Sequence, residues 1–233
     1  MKIVSWNCNG ALRKKLHVLR GLDADVYIIQ ECEDPKRTMG SEYTEWACNH
    51  LWVGDNKNKG LGVFAKPDIA LRQLDLDPGT FQSFIPCTLG DQLTLLAVWT
   101  KEANSPTFAY IGQMWKYLQE HKVAFAGTDM ALIGDFNSNV CWDKWDRWWN
   151  HSDVVRELAE LDIFSLYHSV KAEQQGSEIE PTFYMHRKRE KPYHIDYAFV
   201  SKKWLPASTL TVGKPDDWLE FSDHMPLIVE LSG

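Results

Sequence analysis

Five places in the chain end an apolar run, or the turn beside one, in side chains that carry a charge or an amide. Val4-Ser5-Trp6 leads into Asn7 and Asn9, Ile28-Ile29-Gln30 ends at Glu31, and Leu132-Ile133 leads into Asp135 and Asn137 within GDFNSN, residues 134–139. The segment around His194-Ile195 contains Asp196, and Ser222-Asp223-His224 precedes Pro226 and a further apolar run. Carboxylates, amides and a histidine without a thiolate cluster are the ligand chemistry of a hard cation such as Mg²⁺ with an acid–base partner beside it. Any one of these segments reads equally well as a turn, because Gly, Asp and Asn are what turn geometry selects. The recurrence favours chemistry, while Asn139 keeps the turn reading.

Such side chains must be delivered by strands, and strand-like runs are plentiful. They fall at Lys2–Cys8, Val26–Glu31, Tyr43–Cys48, Gly60–Lys66, Ile69–Leu74, Phe81–Leu89, Leu93–Thr100 and Ala131–Phe136. Others follow at Thr182–His186, His194–Val200, Thr209–Val212 and Leu227–Leu231. Helical spacing is plainest after Ser105-Pro106, read as a cap and first helical residue, where Phe108, Ile111, Trp115 and Leu118 share a face. Two more helices are expected, one carrying Leu12, Leu16 and Leu19 and ending near Gly21, the other starting after Ser152 with Val154, Leu158 and Leu161. Many strands with few helices predict two packed sheets flanked by helices.

The 233 residues contain no Pro/Gly/Ser-rich linker, repeat or low-complexity tract, so one domain spanning 1–233 is expected. A net charge of −7 argues against a protein that coats nucleic acid by charge alone, though a local site can still be cationic. Five scattered cysteines without a CxxC pair suggest neither a disulfide framework nor a zinc site. The N-terminus turns polar within seven residues, and no run approaches the roughly 20 apolar residues that span a bilayer. These features predict a soluble, cytoplasmic protein with no membrane association and no obligate protein partner.

SWNCNG, the Gln30-Glu31 pair, GDFNSN, HIDYAFVS at 194–201 and SDHMPL at 222–227 resemble, in order, the motifs of the endonuclease/exonuclease/phosphatase superfamily. The resemblance covers nearly the whole chain and implies a four-layered α/β sandwich that hydrolyses phosphate esters with Mg²⁺ or Mn²⁺. It implies that Glu31 is the main metal-binding carboxylate, with Asn7 beside it, Asn9 where many relatives carry Asp, and Asp223 as an adjoining metal-associated acid. By the same resemblance Asp135 orients or deprotonates the attacking water and Asn137 steadies that water and a phosphate oxygen. His224 is then the catalytic histidine and Asp196 its orienting carboxylate. Where many relatives place a His or Tyr near a strand end, this chain has Trp99, Thr100 and Lys101, so a leaving-group acid is not evident.

Outside those motifs, HRKREK at 186–191 holds four positive charges against one negative. It is either a solvated hairpin or a loop in which Arg187 and Lys188 meet phosphate. CWDKWDRWWNHSD carries four tryptophans between 142 and 149, which either pin this insertion to the body or offer Trp145 and Trp148 as a stacking platform. Phe183 and Tyr193 could complete such a pocket. The remaining histidines, His151 among them, lack a motif partner and are expected in ordinary structural roles.

The first functional expectation is therefore a Mg²⁺-dependent phosphodiesterase acting on nucleic acid, a DNA nuclease or end-processing enzyme. Hydrolysis of a soluble nucleotide or inositol phosphate is the alternative within catalysis. A non-catalytic nucleic-acid-binding relative is the alternative outside it, disfavoured because a binding module has no need of Glu31, Asp135, Asn137, Asp196 and His224 together.

Overall fold

The computed structural model describes residues 1–76, 79, 81–91, 93–103 and 105–232. In chain order the elements are β1 (Lys2–Asn7), α1 (Leu16–Arg20), β2 (Val26–Cys32), α2 (Ser41–Trp46), β3 (His50–Asn56), β4 (Lys59–Ala65), β5 (Leu71–Gln73), β6 (Phe84–Leu89) and β7 (Leu93–Trp99). There follow α3 (Ile111–Phe125), β8 (Met130–Asp135), α4 (His151–Ala159), β9 (Ile163–Ser165), α5 (Leu166–Lys171), β10 (Phe183–Tyr184), β11 (Pro192–Tyr193), β12 (Asp196–Ser201), β13 (Thr209–Val212), α6 (Pro215–Trp218) and β14 (Leu227–Glu230).

Two six-stranded sheets form, one ordered β13-β14-β1-β2-β4-β3 and the other β5-β6-β7-β8-β12-β9. Both are mixed, since β1 runs parallel to β2 and β7 parallel to β8 while the other pairs are antiparallel. Alternation along a strand sends neighbouring side chains to opposite faces. Leu95, Ala97 and Trp99 of β7 accordingly join the core shared with the first sheet, whereas Leu96 and Val98 join Met114, Leu118, Val154 and Leu158 under α3 and α4. On the first sheet, Tyr27 receives the Ala24 N–H at 3.0 Å and bonds Leu19 O at 3.1 Å, tying α1 down, and Trp46 of α2 packs on Phe64 at 4.7 Å. Helix, sheet, sheet and helix thus give the four-layered sandwich expected from sequence. No helix among the described residues is long and apolar enough to cross a membrane.

Several boundaries differ from expectation. Tyr43–Cys48 is not a strand: Tyr43 and Trp46 lie three apart on the buried side of α2, and the strand is β3 after it. An aromatic-rich stretch of that length satisfies either period, and β3 is an edge strand too evenly half-buried to announce itself by alternation. Ser105 accepts a bond from the Phe108 N–H at 3.4 Å in a turn, and the helix begins only at Ile111, which leaves Phe108 outside it. The helix expected after Ser152 starts two residues earlier, at His151, with Asp153 accepting the Asn150 N–H at 2.8 Å.

Candidate active site

Strand β8 ends at Asp135 because Gly134 lets it run hard against β7. A Cβ at Gly134 would lie 1.9 Å from the Val98 carbonyl oxygen, so only glycine fits there. The β8–β12 register then places Asp196 directly opposite Asp135, two buried carboxylates on one ladder. Like charges in that position repel, and a shared cation is the ordinary remedy. His224 supplies it. Its Nδ1 lies 3.0 and 3.2 Å from the two Asp196 oxygens, and its Nε2 is 4.0 Å from Asp135 Oδ2.

The loop that carries His224 is held from both sides. Ser222 Oγ donates to Asn7 O at 2.7 Å and accepts the His224 N–H at 3.0 Å, while Trp6 Nε1 donates to His224 O at 3.0 Å. Phe183 of β10 forms an isolated bridge with His224 and lays its ring 4.6 Å from the imidazole. Thr182 Oγ1 accepts the N–H groups of Ile195 and Asp196, at 2.9 and 3.0 Å, and so fixes the start of β12.

Asp135 is equally constrained. Its Oδ2 accepts from Asn7 Nδ2 and Asn137 Nδ2, each at 3.0 Å, and its Oδ1 accepts the Asn137 N–H at 2.8 Å. Asn137 Nδ2 also donates to Thr100 O at 3.0 Å, so both amide hydrogens are used. Burial pushes the Asp135 carboxyl well above the usual carboxylate range, against the opposing pull of the His224 charge. For His224 burial acts downward, but the charges of Asp196 and Asp135 outweigh it and raise the imidazole to about 9. The two carboxylates keep this histidine protonated near neutrality.

Glu31 sits at a bulge in β2, between the pairs Gln30–Leu61 and Cys32–Gly60, with φ at +62°. A bulge re-aims the extra residue, and a left-handed glutamate is a strained one. Its carboxylate meets Lys59 Nζ at 2.9 Å, on the rim of a cleft of about 370 Å³ that Trp99, Lys101, Tyr110 and Asn137 also line. Lys101 pairs with Asp55 at 2.8 Å and lies over the Trp99 ring.

Asp135, Asp196 and His224 could in principle ligate an ion, but their lone pairs and protons are spent largely on one another and on the two asparagines. The other candidate for a hard cation is the Glu31 carboxylate, which shares its cleft with the Asn137 amide. That carboxylate already attracts a positive charge, and burial pushes the neighbouring Cys8 thiol up to about 12, so no thiolate competes. The donor set fits Mg²⁺ or Mn²⁺.

The other sequence candidates are spread more widely. Asn9 is exposed with φ at +51°, and its backbone N–H bonds Asn7 Oδ1 at 3.0 Å. Asp223 adjoins the site through its backbone carbonyl, which accepts the Tyr184 N–H, and its side chain meets Ser222 Oγ at 3.5 Å. Phe183 and Tyr193 face one another across the β10–β11 pair, 6.4 Å apart. Arg187 donates to the carbonyls of Glu220 and Phe221, and Lys188 is exposed in the same turn. Trp145 is 98 % exposed and Trp148 62 %, whereas Trp149 packs on Phe108 at 4.7 Å. Thr182 and Lys59 are positioning or site residues that the sequence does not mark, since nothing in PTF or the NKNKG turn distinguishes them before the sheets assemble, and Ser222 stands out in the sequence only as part of its motif.

A histidine clamped between two strand-end carboxylates, on a four-layered α/β sandwich, is the candidate centre for hydrolytic chemistry in this molecule. The sequence model of the Endonuclease/Exonuclease/phosphatase family matches residues 4–224, and the chain belongs to that family. No curated protein matches the chain. Among solved structures, an AP endonuclease from Archaeoglobus fulgidus is similar with a TM-score of 0.72 at 18 % identity, covering 100 % of both chains. The 3′ phosphatase NExo from Neisseria, bound to product DNA hairpin, gives 0.70 at 19 %, and the 3′-5′ exonuclease NExo from Neisseria meningitidis 0.68 at 19 %, each with 100 % of both chains covered. At such identities these likenesses speak to the fold.

Proposed function

We propose that the chain hydrolyses phosphodiester bonds of nucleic acid, as a DNA nuclease or end-processing enzyme dependent on Mg²⁺ or Mn²⁺. The observation that carries this reading is the placement of His224 between Asp196 and Asp135, with Asp135 held by the amides of Asn7 and Asn137. Asp135 takes a proton from the attacking water, and the Asn137 amide oxygen is left to orient it. The His224 imidazolium faces the phosphoryl oxygens, where negative charge grows in the transition state. Glu31, with Asn7, would hold the divalent ion, which when bound shares the charge on the phosphate. The fold relatives' DNA chemistry, named for an AP endonuclease, an exonuclease and a 3′ phosphatase, favours nucleic acid over a soluble phosphate ester.

Purified protein should cleave labelled single-stranded, duplex or abasic oligonucleotides in Mg²⁺, lose that activity in excess chelator, and regain it with Mg²⁺ or Mn²⁺. Cleavage confined to nucleotide or inositol phosphates would give the site a small-molecule substrate. Turnover undiminished by chelator would remove the metal from the mechanism.

A further inference from the structure

A second cleft of about 310 Å³ opens on the other side of Tyr110 from the lysine cleft, and both clefts share Tyr110 and Asn137 as walls. Its far wall carries Trp142 and Arg147. Tyr110 is 46 % and Trp142 44 % exposed, so two aromatic residues present open surface beside the candidate catalytic Asn137. Trp142 also begins a row of rings that leads back to the catalytic histidine. It lies 5.1 Å from Tyr193, Tyr193 lies 6.4 Å from Phe183, and Phe183 lies 4.6 Å from His224.

This wall is fixed in place. Asn150 accepts the Lys144 N–H at 2.9 Å and donates to Lys144 O and Arg147 O at 3.0 and 2.8 Å, closing the insertion on itself. Trp149 nails it to α3, so closely that a Cβ at Gly112 would come within 2.9 Å of the indole, and the Arg147 guanidinium lies over that indole at 5.6 Å. On the near side Tyr110 adopts φ 54°, ψ −117°, a conformation that favours glycine. A tyrosine kept there at the expense of backbone strain, with its ring in the open, is a feature of function more than of folding.

We infer that this cleft is a base-binding subsite, which takes the unpaired nucleobase of a nucleotide next to the scissile phosphate by stacking on Trp142 and Tyr110, with Arg147 meeting the adjoining phosphate. The inference rests on the nucleic-acid reading above. Exposed aromatic faces accept any base, and a cationic side chain beside them follows the backbone. A cleft the size of one nucleotide admits a single-stranded or frayed end, whereas a base stacked and paired within a duplex cannot enter. The insertion's tryptophans therefore divide their work: Trp149 anchors, Trp142 stacks, and Trp145 stands clear in solvent.

The test separates this subsite from the chemistry. A single-stranded oligonucleotide containing 2-aminopurine, titrated in excess chelator so that nothing turns over, should lose fluorescence on binding as the base stacks. Trp142→Ala and Tyr110→Gly should each weaken that binding by roughly 5- to 150-fold, while Trp142→Phe retains most of it. Tyr110→Gly relieves the strained backbone and should melt no lower than the parent protein, so it keeps the test valid if Trp142→Ala folds poorly. In Mg²⁺, Trp142→Ala should raise KM for the base-bearing oligonucleotide by more than it raises KM for an oligomer built only of tetrahydrofuran abasic units. Unaltered 2-aminopurine binding in Tyr110→Gly, or an equal loss on base-bearing and abasic oligomers, would overturn the subsite. Failure of the parent protein to cleave any oligonucleotide while it cleaves small phosphate esters would instead overturn the nucleic-acid reading.

Discussion

At the scale of the residue, the centre of the site is a buried imidazole held between two buried carboxyl groups. Asp196 holds His224 Nδ1 from one side and Asp135 faces Nε2 from the other, and their charges raise the imidazole to about 9 against the downward effect of burial. Asp196→Asn keeps the shape and removes one of the two charges. Turnover should fall by about 100-fold or more, in line with the loss of a charge-stabilising or acid–base group. The sign of the pH effect follows from the raised value. A histidine that needs its proton is active below its pKa, so the parent's alkaline limb should lie near pH 9 and the variant's should move toward the ordinary histidine value of about 6.5. A pH–rate profile of the two proteins checks this, and an unmoved limb would detach His224 from the rate.

At the scale of the element, strand ends deliver the chemistry, and backbone exceptions aim it. Gly134 lets β8 approach β7, the β2 bulge turns Glu31 toward the lysine cleft, and Asn137 takes φ +45° at the turn after β8. Gly134→Ala would drive a methyl into the Val98 carbonyl on a buried parallel ladder, where neither strand has room to move. The expected loss is at least about 3 kcal/mol of stability, measured by denaturant unfolding, with insoluble expression as the extreme outcome. A stable Gly134→Ala protein would mean that β7 and β8 can part without harm.

At the scale of the whole molecule, a buried polar network around His151 and Glu178 should make the fold acid-sensitive. His151 packs on Tyr197 at 4.9 Å and meets Gln175 at 3.2 Å, and burial lowers its pKa to about 4. The unfolded chain, with His151 near 6.5, binds the extra proton first, so stability falls as pH drops from about 6.5 to 4, by roughly 3 kcal/mol for this group. Glu178 acts lower on the scale. Burial opposes its charge, but bonds from His168, the Gly176 N–H and Asn139 win and bring it down to about 2. Its contribution is full above about 4.5 and disappears as pH approaches 2. His151→Phe keeps a ring against Tyr197 and cannot titrate, so its urea midpoint should change less between pH 6.5 and 4 than the parent's. Identical slopes would show that His151 does not govern this range.

Sequence by itself determined the layer architecture and named most of the side chains that the structure gathers at the candidate site. Apolar runs ending in Asn7, Glu31, Asp135 and Asp196 are local patterns, fixed by a strand's two-residue period and by what can follow a buried strand. Their recurrence in family order indicated both the sandwich and phosphate-ester chemistry. Pairings between distant segments were decided only by tertiary structure, because contact across sheets depends on register and not on neighbouring residue types. That Asp196 lies opposite Asp135, that Ser222 ties the His224 loop to Asn7, and that Lys59 reaches Glu31 all follow from which strands lie side by side. The tryptophan insertion shows the same division. Its composition announced a pinned loop or a stacking platform; packing sets the half-buried Trp149 against Phe108 and Gly112 and leaves Trp142 at the cleft.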